Sequence, residues 1–128
     1  MDTNEHESLD ALIAKVIGAA YEVSNTLGCG FLENVYHAAM VRELALRGLG
    51  VRSGVPYWVE YKGEFVAKYI ADIVVNDKLI LELKCVEQFA REHLAQCINY
   101  LKASGLRIAL LINFKHPKVK WKRVIYGF

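Results

Sequence analysis

Hydrophobic positions change period along the chain, and the changes mark its elements. Leu9, Leu12, Ile13, Val16, Ile17 and Ala20 recur at helical spacing, which predicts an amphipathic helix from about Ser8 to Ser24 with Ser8 as N-cap. Asn25 to Gly30 breaks that pattern with two glycines. A second helix is expected from about Phe31 to Arg47, closed by Gly48. Val51 to Tyr61 and Glu64 to Val75 are rich in Val, Tyr, Trp and Ile, and Lys62-Gly63 between them suits a hairpin turn. Asn76-Asp77 turns the chain again, and Lys78 to Cys85 reads as a third strand. These three strands should form an antiparallel meander.

A helix from about Gln88 to Ser104 then ends at Gly105, and Arg107 to Phe114 reads as a fourth strand, parallel to the third through a helical crossover. Pro117 marks a loop, and Trp121 to Tyr126 adds an edge strand. The order helix, helix, three strands, helix, strand predicts an α/β fold with a mixed sheet.

The chain has 128 residues, 54% of them hydrophobic and 23% charged. That fits one globular domain over residues 1–128 and excludes disorder. No apolar run is long enough to cross a bilayer, and the polar Met1–Asp10 start is unlike a signal peptide. A cytoplasmic location with no membrane partner is therefore expected. Cys29, Cys85 and Cys97 lack metal-type spacing and are expected to act as small apolar fillers.

Net charge is +2, yet its distribution is uneven. Residues 1–64 carry five basic and nine acidic side chains; residues 65–128 carry eleven and five. Seven Lys or Arg and no acid lie from Lys102 onward. Lys115, Lys118, Lys120, Lys122 and Arg123 are thus candidates for holding a nucleic-acid backbone, or else form a solvated face.

Three charges stand inside apolar strands that read as covered on both faces. Asp72 lies in Tyr69–Val75, and Glu82 and Lys84 lie in Leu79–Cys85. Burying an unpaired charge costs several kcal/mol, so a compensating group is expected. Glu82 and Lys84 are two apart and share a strand face with Ile80, while Leu81, Leu83 and Cys85 face the other way. Counting back from the Asn76-Asp77 turn puts Asp72 near Glu82. Two such carboxylates suit Mg²⁺ or Mn²⁺, and a nearby lysine suits water activation. The competing explanation is a structural ion pair of Lys84 with one acid.

Gln96 and Tyr100 share a helix face with His93, beside an apolar face made by Ala90, Leu94, Ile98 and Leu101. That polar stripe is either functional or only a boundary. Glu33 and Tyr36 open the second helix, where an acid also serves the helix dipole.

Taken in order, these segments resemble a known family. Gly30-Phe31-Leu32-Glu33-Asn34-Val35-Tyr36 fits the Gly-x-x-Glu-x-x-Tyr pattern of the GxxExxY proteins, placed in the PD-(D/E)XK nuclease superfamily. The likeness continues through Tyr69–Asp72, Leu81–Lys84, Ala95–Leu101 and Leu111–Phe114. It implies a restriction-endonuclease-like αβββαβ core with an extra N-terminal helix. It further implies a metal held by Asp72, Glu82 and the Leu83 carbonyl, with Lys84 serving the attacking water and Glu33 as the helical acid of the site. Gln96 and Tyr100 match a Gln-x-x-x-Tyr motif that supports the lysine and the DNA path in the exonuclease-like branch. Cys29 stands where the family often has Pro, and Ile70 where it often has Arg. The expected activity is Mg²⁺-dependent hydrolysis of nucleic acid, with DNA as the expected substrate, by a homodimer or with a partner protein. The alternative is a non-catalytic binding module on the same fold.

Overall fold

The computed structural model describes residues 3–127. Its elements are α1 (Thr3–Leu27), α2 (Glu33–Leu46), β1 (Val51–Tyr61), β2 (Glu64–Val75), β3 (Leu79–Lys84), α3 (Arg91–Ser104), β4 (Ile108–Asn113) and β5 (Lys120–Ile125). The expected order is found. Helix α1 begins at Thr3, so Ser8 lies inside it rather than capping it.

The sheet runs β1-β2-β3-β4-β5. Only the β3–β4 pair is parallel, as a strand–helix–strand crossover requires. Lys62 and Gly63 have φ of 47° and 85°, and Asn76 and Asp77 both have φ of 53°. These are the left-handed conformations that tight hairpin turns use.

Helices cover both faces of the central strands. On one face α1 and α2 pack against Ile73, Val75, Leu79, Leu81, Leu83, Leu110 and Ile112. On the other, Cys97, Tyr100 and Leu101 of α3 pack against Val74, Ile80, Ala109 and Leu111. The period-2 alternation thus sorts β3 and β4 between two cores. Strand β2 is covered only from Ala71 onward, and Ile70 is exposed. Tyr69–Val75 is therefore covered on both faces only in its second half, because the β1–β2 hairpin projects past the helices.

That hairpin also turns over at its root. Ser53 meets α2, its Oγ lying 2.7 Å from His37 Nε2. Val55 and Tyr57 instead pack on the α3 side. On β2, Ile73 and Val75 face α1 and α2, while Tyr69 and Ala71 join the α3 cluster. Between the two settings stands Gly54, at φ 64° and outside the paired register. Only glycine adopts that backbone without steric cost, and an irregular residue in a strand re-aims the side chains beyond it. Asp72 is its counterpart on β2.

Candidate active site

The β2–β3 ladder pairs Val75 with Leu79, Val74 with Ile80 and Ile73 with Leu81, and it stops there. Beyond it the Leu83 N–H has no ladder partner, and the Asp72 side chain supplies one: Oδ2 accepts that N–H at 2.8 Å. The Lys84 carbonyl accepts the Phe114 N–H on the β4 side at 2.9 Å. Backbone groups alternate along a strand, so the Leu83 carbonyl points the opposite way, toward β2 and Asp72.

Glu82 is 2% exposed, and its Oε1 has no hydrogen-bond partner among the described residues. Oε2 lies 3.6 Å from Lys84 Nζ. Burial raises the Glu82 pKa to about 8; the Asp72 charge adds to this and Lys84 opposes it. Burial thus favours the protonated carboxyl over a bare charge in the metal-free protein. Two carboxylates and a backbone carbonyl form a hard-oxygen donor set of the kind Mg²⁺ or Mn²⁺ accepts. The orphaned Oε1 is a buried acceptor that such an ion would satisfy. Among the described residues no cluster of three His, Cys, Asp or Glu side chains forms a metal cage.

Helix α3 backs this face. Gln96 Nε2 donates to Tyr100 Oη at 2.9 Å, and Tyr100 meets Tyr69 edge to face at 5.9 Å between centroids. Burial and the neighbouring Glu82 charge push the Tyr100 hydroxyl pKa up. Tyr100 is 4% exposed and belongs to the core stripe with Cys97 and Leu101. The apolar face expected from Ala90, Leu94, Ile98 and Leu101 is therefore rotated, and Ala90 precedes the helix. His93 Nδ1 instead accepts the Ala90 N–H at 2.9 Å and so caps the helix start.

Glu33 sits elsewhere. It opens α2 and lines a cavity of about 560 Å³ with Gly30, Cys85 and Lys115. Cys85 faces the α1–α2 side, opposite to Glu82 and Lys84. Burial and then the Glu33 charge raise the Cys85 thiol pKa.

Tyr36, the last residue of that motif, is structural: its hydroxyl donates to the Gly28 carbonyl at 2.7 Å, and its ring stacks on Phe114 at 4.8 Å. Of the three cysteines, Cys97 is a buried filler with its thiol pKa pushed up to about 12 by burial, and Cys85 is partly covered. Cys29 is exposed and fills nothing.

Sheet register divides the basic residues. Lys84 pairs with Asn113, which pairs with Lys120; Glu82 pairs with Leu111, which pairs with Lys122. Lys120 and Lys122 therefore share the face of the acid pair, two strands away, or roughly 10 Å. Arg123 faces the other way and lies 3.6 Å from Asp10 of α1. Lys115 is at the Glu33 cavity, 3.8 Å from Glu87. Lys118 is exposed in the loop before β5. Asn113, to which sequence reasoning gave no role, is 2% exposed. Its amide bonds both the Val86 N–H and carbonyl, fixing the β3–α3 connection. A lone Asn in an apolar strand was the available signal.

A sheet flanked by helices thus carries an acid at the opened end of β2 and an acid and a lysine two apart on β3. The chain belongs to the PD-(D/E)XK nuclease superfamily, which it matches over residues 10–124. No curated protein matches the sequence. Among solved structures, SSO0001 superposes with a TM-score of 0.60 at 14% identity, covering 74% of this chain and 50% of that one. An alkaline exonuclease from Laribacter hongkongensis gives 0.50 at 12% identity, over 84% and 76%. Both are likenesses of fold, and this chain spans half the length of SSO0001. No described helix is long and apolar enough to cross a membrane.

Proposed function

We propose that this protein is a Mg²⁺- or Mn²⁺-dependent nuclease that hydrolyses phosphodiester bonds, with DNA as the first substrate to test. The observation that carries the reading is the convergence of Asp72, Glu82 and Lys84 where β2 leaves β3, with Glu82 Oε1 buried and without a partner. Asp72, Glu82 and the Leu83 carbonyl would hold the ion. A bound divalent ion supplies Lewis-acid polarisation of the phosphate and a more acidic water.

The remaining roles belong to the chain's own side chains. The Lys84 ammonium, held beside Glu82, orients the attacking water and steadies negative charge as it develops. Gln96 and Tyr100 position the wall behind it through their mutual hydrogen bond. Lys120 and Lys122 extend the same face and hold the nucleic-acid backbone by charge, with Lys118 beside them and Lys115 and Arg123 as outlying contacts. Glu33 shapes the neighbouring cavity. The Gly30–Tyr36 motif supports placement among the GxxExxY proteins. Action in the cytoplasm, as a homodimer or with a partner protein that supplies targeting, completes the reading.

The test is incubation with labelled single- and double-stranded DNA and RNA in Mg²⁺, Mn²⁺ or EDTA. Metal-dependent cleavage lost in Glu82→Gln is the expected result. A second reading, a non-catalytic nucleic-acid-binding or protein-interaction module, draws on the 3.6 Å Lys84–Glu82 pair, which also suits a structural ion pair. It predicts binding without cleavage under every metal condition.

A further inference from the structure

One face of the β1–β2 hairpin is apolar and stands uncovered among the described residues. Val55, Tyr57, Tyr69 and Ala71 turn toward α3. The β1–β2 register sets Pro56 beside Ile70, Trp58 beside Lys68 and Glu60 beside Phe65, so these side chains share the opposite face. Their contacts agree: the Trp58 and Phe65 rings lie 5.2 Å apart, and Lys68 Nζ lies 5.1 Å from the Trp58 ring centroid. Trp58, Phe65 and Ile70 are 51%, 66% and 51% exposed. Helices α1 and α2 pack on β2 only from Ile73 onward, because the strands turn over at Gly54 and Asp72. The face offers roughly 400 Å² of apolar surface, as large as the patches that mark contact sites on soluble proteins.

We infer that this face docks on the same face of a second copy of the chain, making a two-fold dimer. The inference rests on the homodimer named in the proposed function and gives it a surface; the metal chemistry does not enter. Edge-to-edge pairing is interrupted at Pro56, which has no N–H to offer on the edge strand β1. Stacking another sheet face on the hairpin, about 10 Å away, buries the apolar side chains without using that edge. Charge then selects the sheet. Glu60 and Glu64 lie toward the hairpin tip and Lys68 toward its root. A two-fold that runs the two hairpins in opposite directions brings each Lys68 toward the acids of the other copy, so the surface is complementary to itself. A nucleic-acid backbone would instead meet those acids as like charges. A standard interface takes about 800 Å² from each chain, so the apolar face makes about half of one and the charged rim supplies the rest. Ile70 stands two residues before Asp72, so docking also steadies the strand that carries this acid.

The test is sedimentation of the full chain over a concentration series in EDTA, with Trp58 as reporter. Trp58 and Trp121 are the two tryptophans, so a Trp121→Phe background leaves Trp58 alone. A dimer is expected, and acrylamide quenching of Trp58 should fall severalfold as it forms. Phe65→Glu enters a two-fold interface twice and should weaken the dimer at least tenfold. The side chain is exposed in the monomer, so the variant should keep the wild-type circular dichroism. Ile70→Lys provides a second variant with the same expected loss. Ile125→Glu places a charge at an exposed site on β5, the other edge of the sheet, and should leave the dimer intact.

A monomer at every concentration up to about 100 µM, well above the micromolar range of weak standard interfaces, overturns the inference. So does a dimer that neither Phe65→Glu nor Ile70→Lys weakens, one that Ile125→Glu weakens equally, or one in which Trp58 stays as accessible as in the monomer. Single-stranded DNA that shields Trp58 in EDTA while the chain stays monomeric assigns the face to bases and also overturns it. A dimer that cleaves no nucleic acid in Mg²⁺ or Mn²⁺ overturns the nuclease reading alone. Cleavage by a strictly monomeric wild type overturns the dimer surface alone.

Discussion

The Asp72 carboxylate accepts the Leu83 N–H at 2.8 Å, one residue past the last rung of the β2–β3 ladder. A side chain thus replaces a strand just as the strand turns away. The same bond fixes Asp72 beside Glu82 and opens the gap into which the Leu83 carbonyl points. It ties site geometry to sheet topology.

A divalent ion should stabilise the fold. An ion that binds only the native state contributes about 2.7 kcal/mol at a hundredfold excess over its dissociation constant. For a chain of this size that is roughly 10 °C in melting temperature. Melts with Mn²⁺ and with EDTA measure it. Asp72→Asn should respond far less, and an equal response would remove Asp72 from the ligand set.

The metal-free protein should lose stability as pH rises. In the fold Glu82 keeps its proton to about 8, whereas an unfolded glutamate releases it near ~4.3. Its contribution is therefore complete below the unfolded value and is lost as pH climbs through the folded one. The expected loss is a few kcal/mol, read as a falling melting temperature between about pH 5 and 8. Glu82→Gln, which has no proton to lose, should flatten the curve. The metal-bound form should behave oppositely, because binding releases the proton and strengthens with pH.

Lys84→Ala should abolish cleavage and keep the Mn²⁺ response. Near pH 6 Glu82 is protonated, so losing the lysine leaves no bare charge behind, and the melt should move by under about 1 kcal/mol. At pH 9 the same variant strands a buried carboxylate and should lose more, up to about 3–5 kcal/mol. Full activity in the folded variant would sink the role given to this lysine.

Gly54→Ala should cost about 1–2 kcal/mol, since an L side chain at φ 64° is strained while no neighbour blocks the added methyl. Because the hairpin turns over at this position, the variant should also weaken the Mn²⁺ stabilisation. Loss of stability with an intact metal response would confine Gly54 to the hairpin.

Backbone contacts should follow the sheet faces. On duplex DNA each lost phosphate contact reduces the salt slope by roughly 0.9. Lys120→Gln with Lys122→Gln should lower it by about 1.8, whereas Arg123→Gln, an outlying contact on the opposite face beside Asp10, should lower it by clearly less than about 0.9. Equal effects from all three would show that charge acts without regard to face.

The sequence by itself determined the element order, the two-residue turns, the shared face of Glu82 and Lys84, and the nearness of Asp72 to Glu82. Each of these is local: periods of 2 and 3.6, turn residues with positive φ, and a short count across one hairpin. Tertiary structure decided the rest. Period-2 reasoning fails at Gly54 and Asp72, where one irregular backbone reverses the faces of both strands. Packing of α2 on the α1–α2 side of the sheet sets Glu33 at the cavity it shares with Cys85 and Lys115. The C-terminal cations look like one patch in sequence, yet pairing with β4 sends Lys122 and Arg123 to opposite faces. Tyr100 reads as a polar boundary until docking of α3 turns it into the core. Local periodicity says which residues share a face; only packing between distant segments says what that face meets.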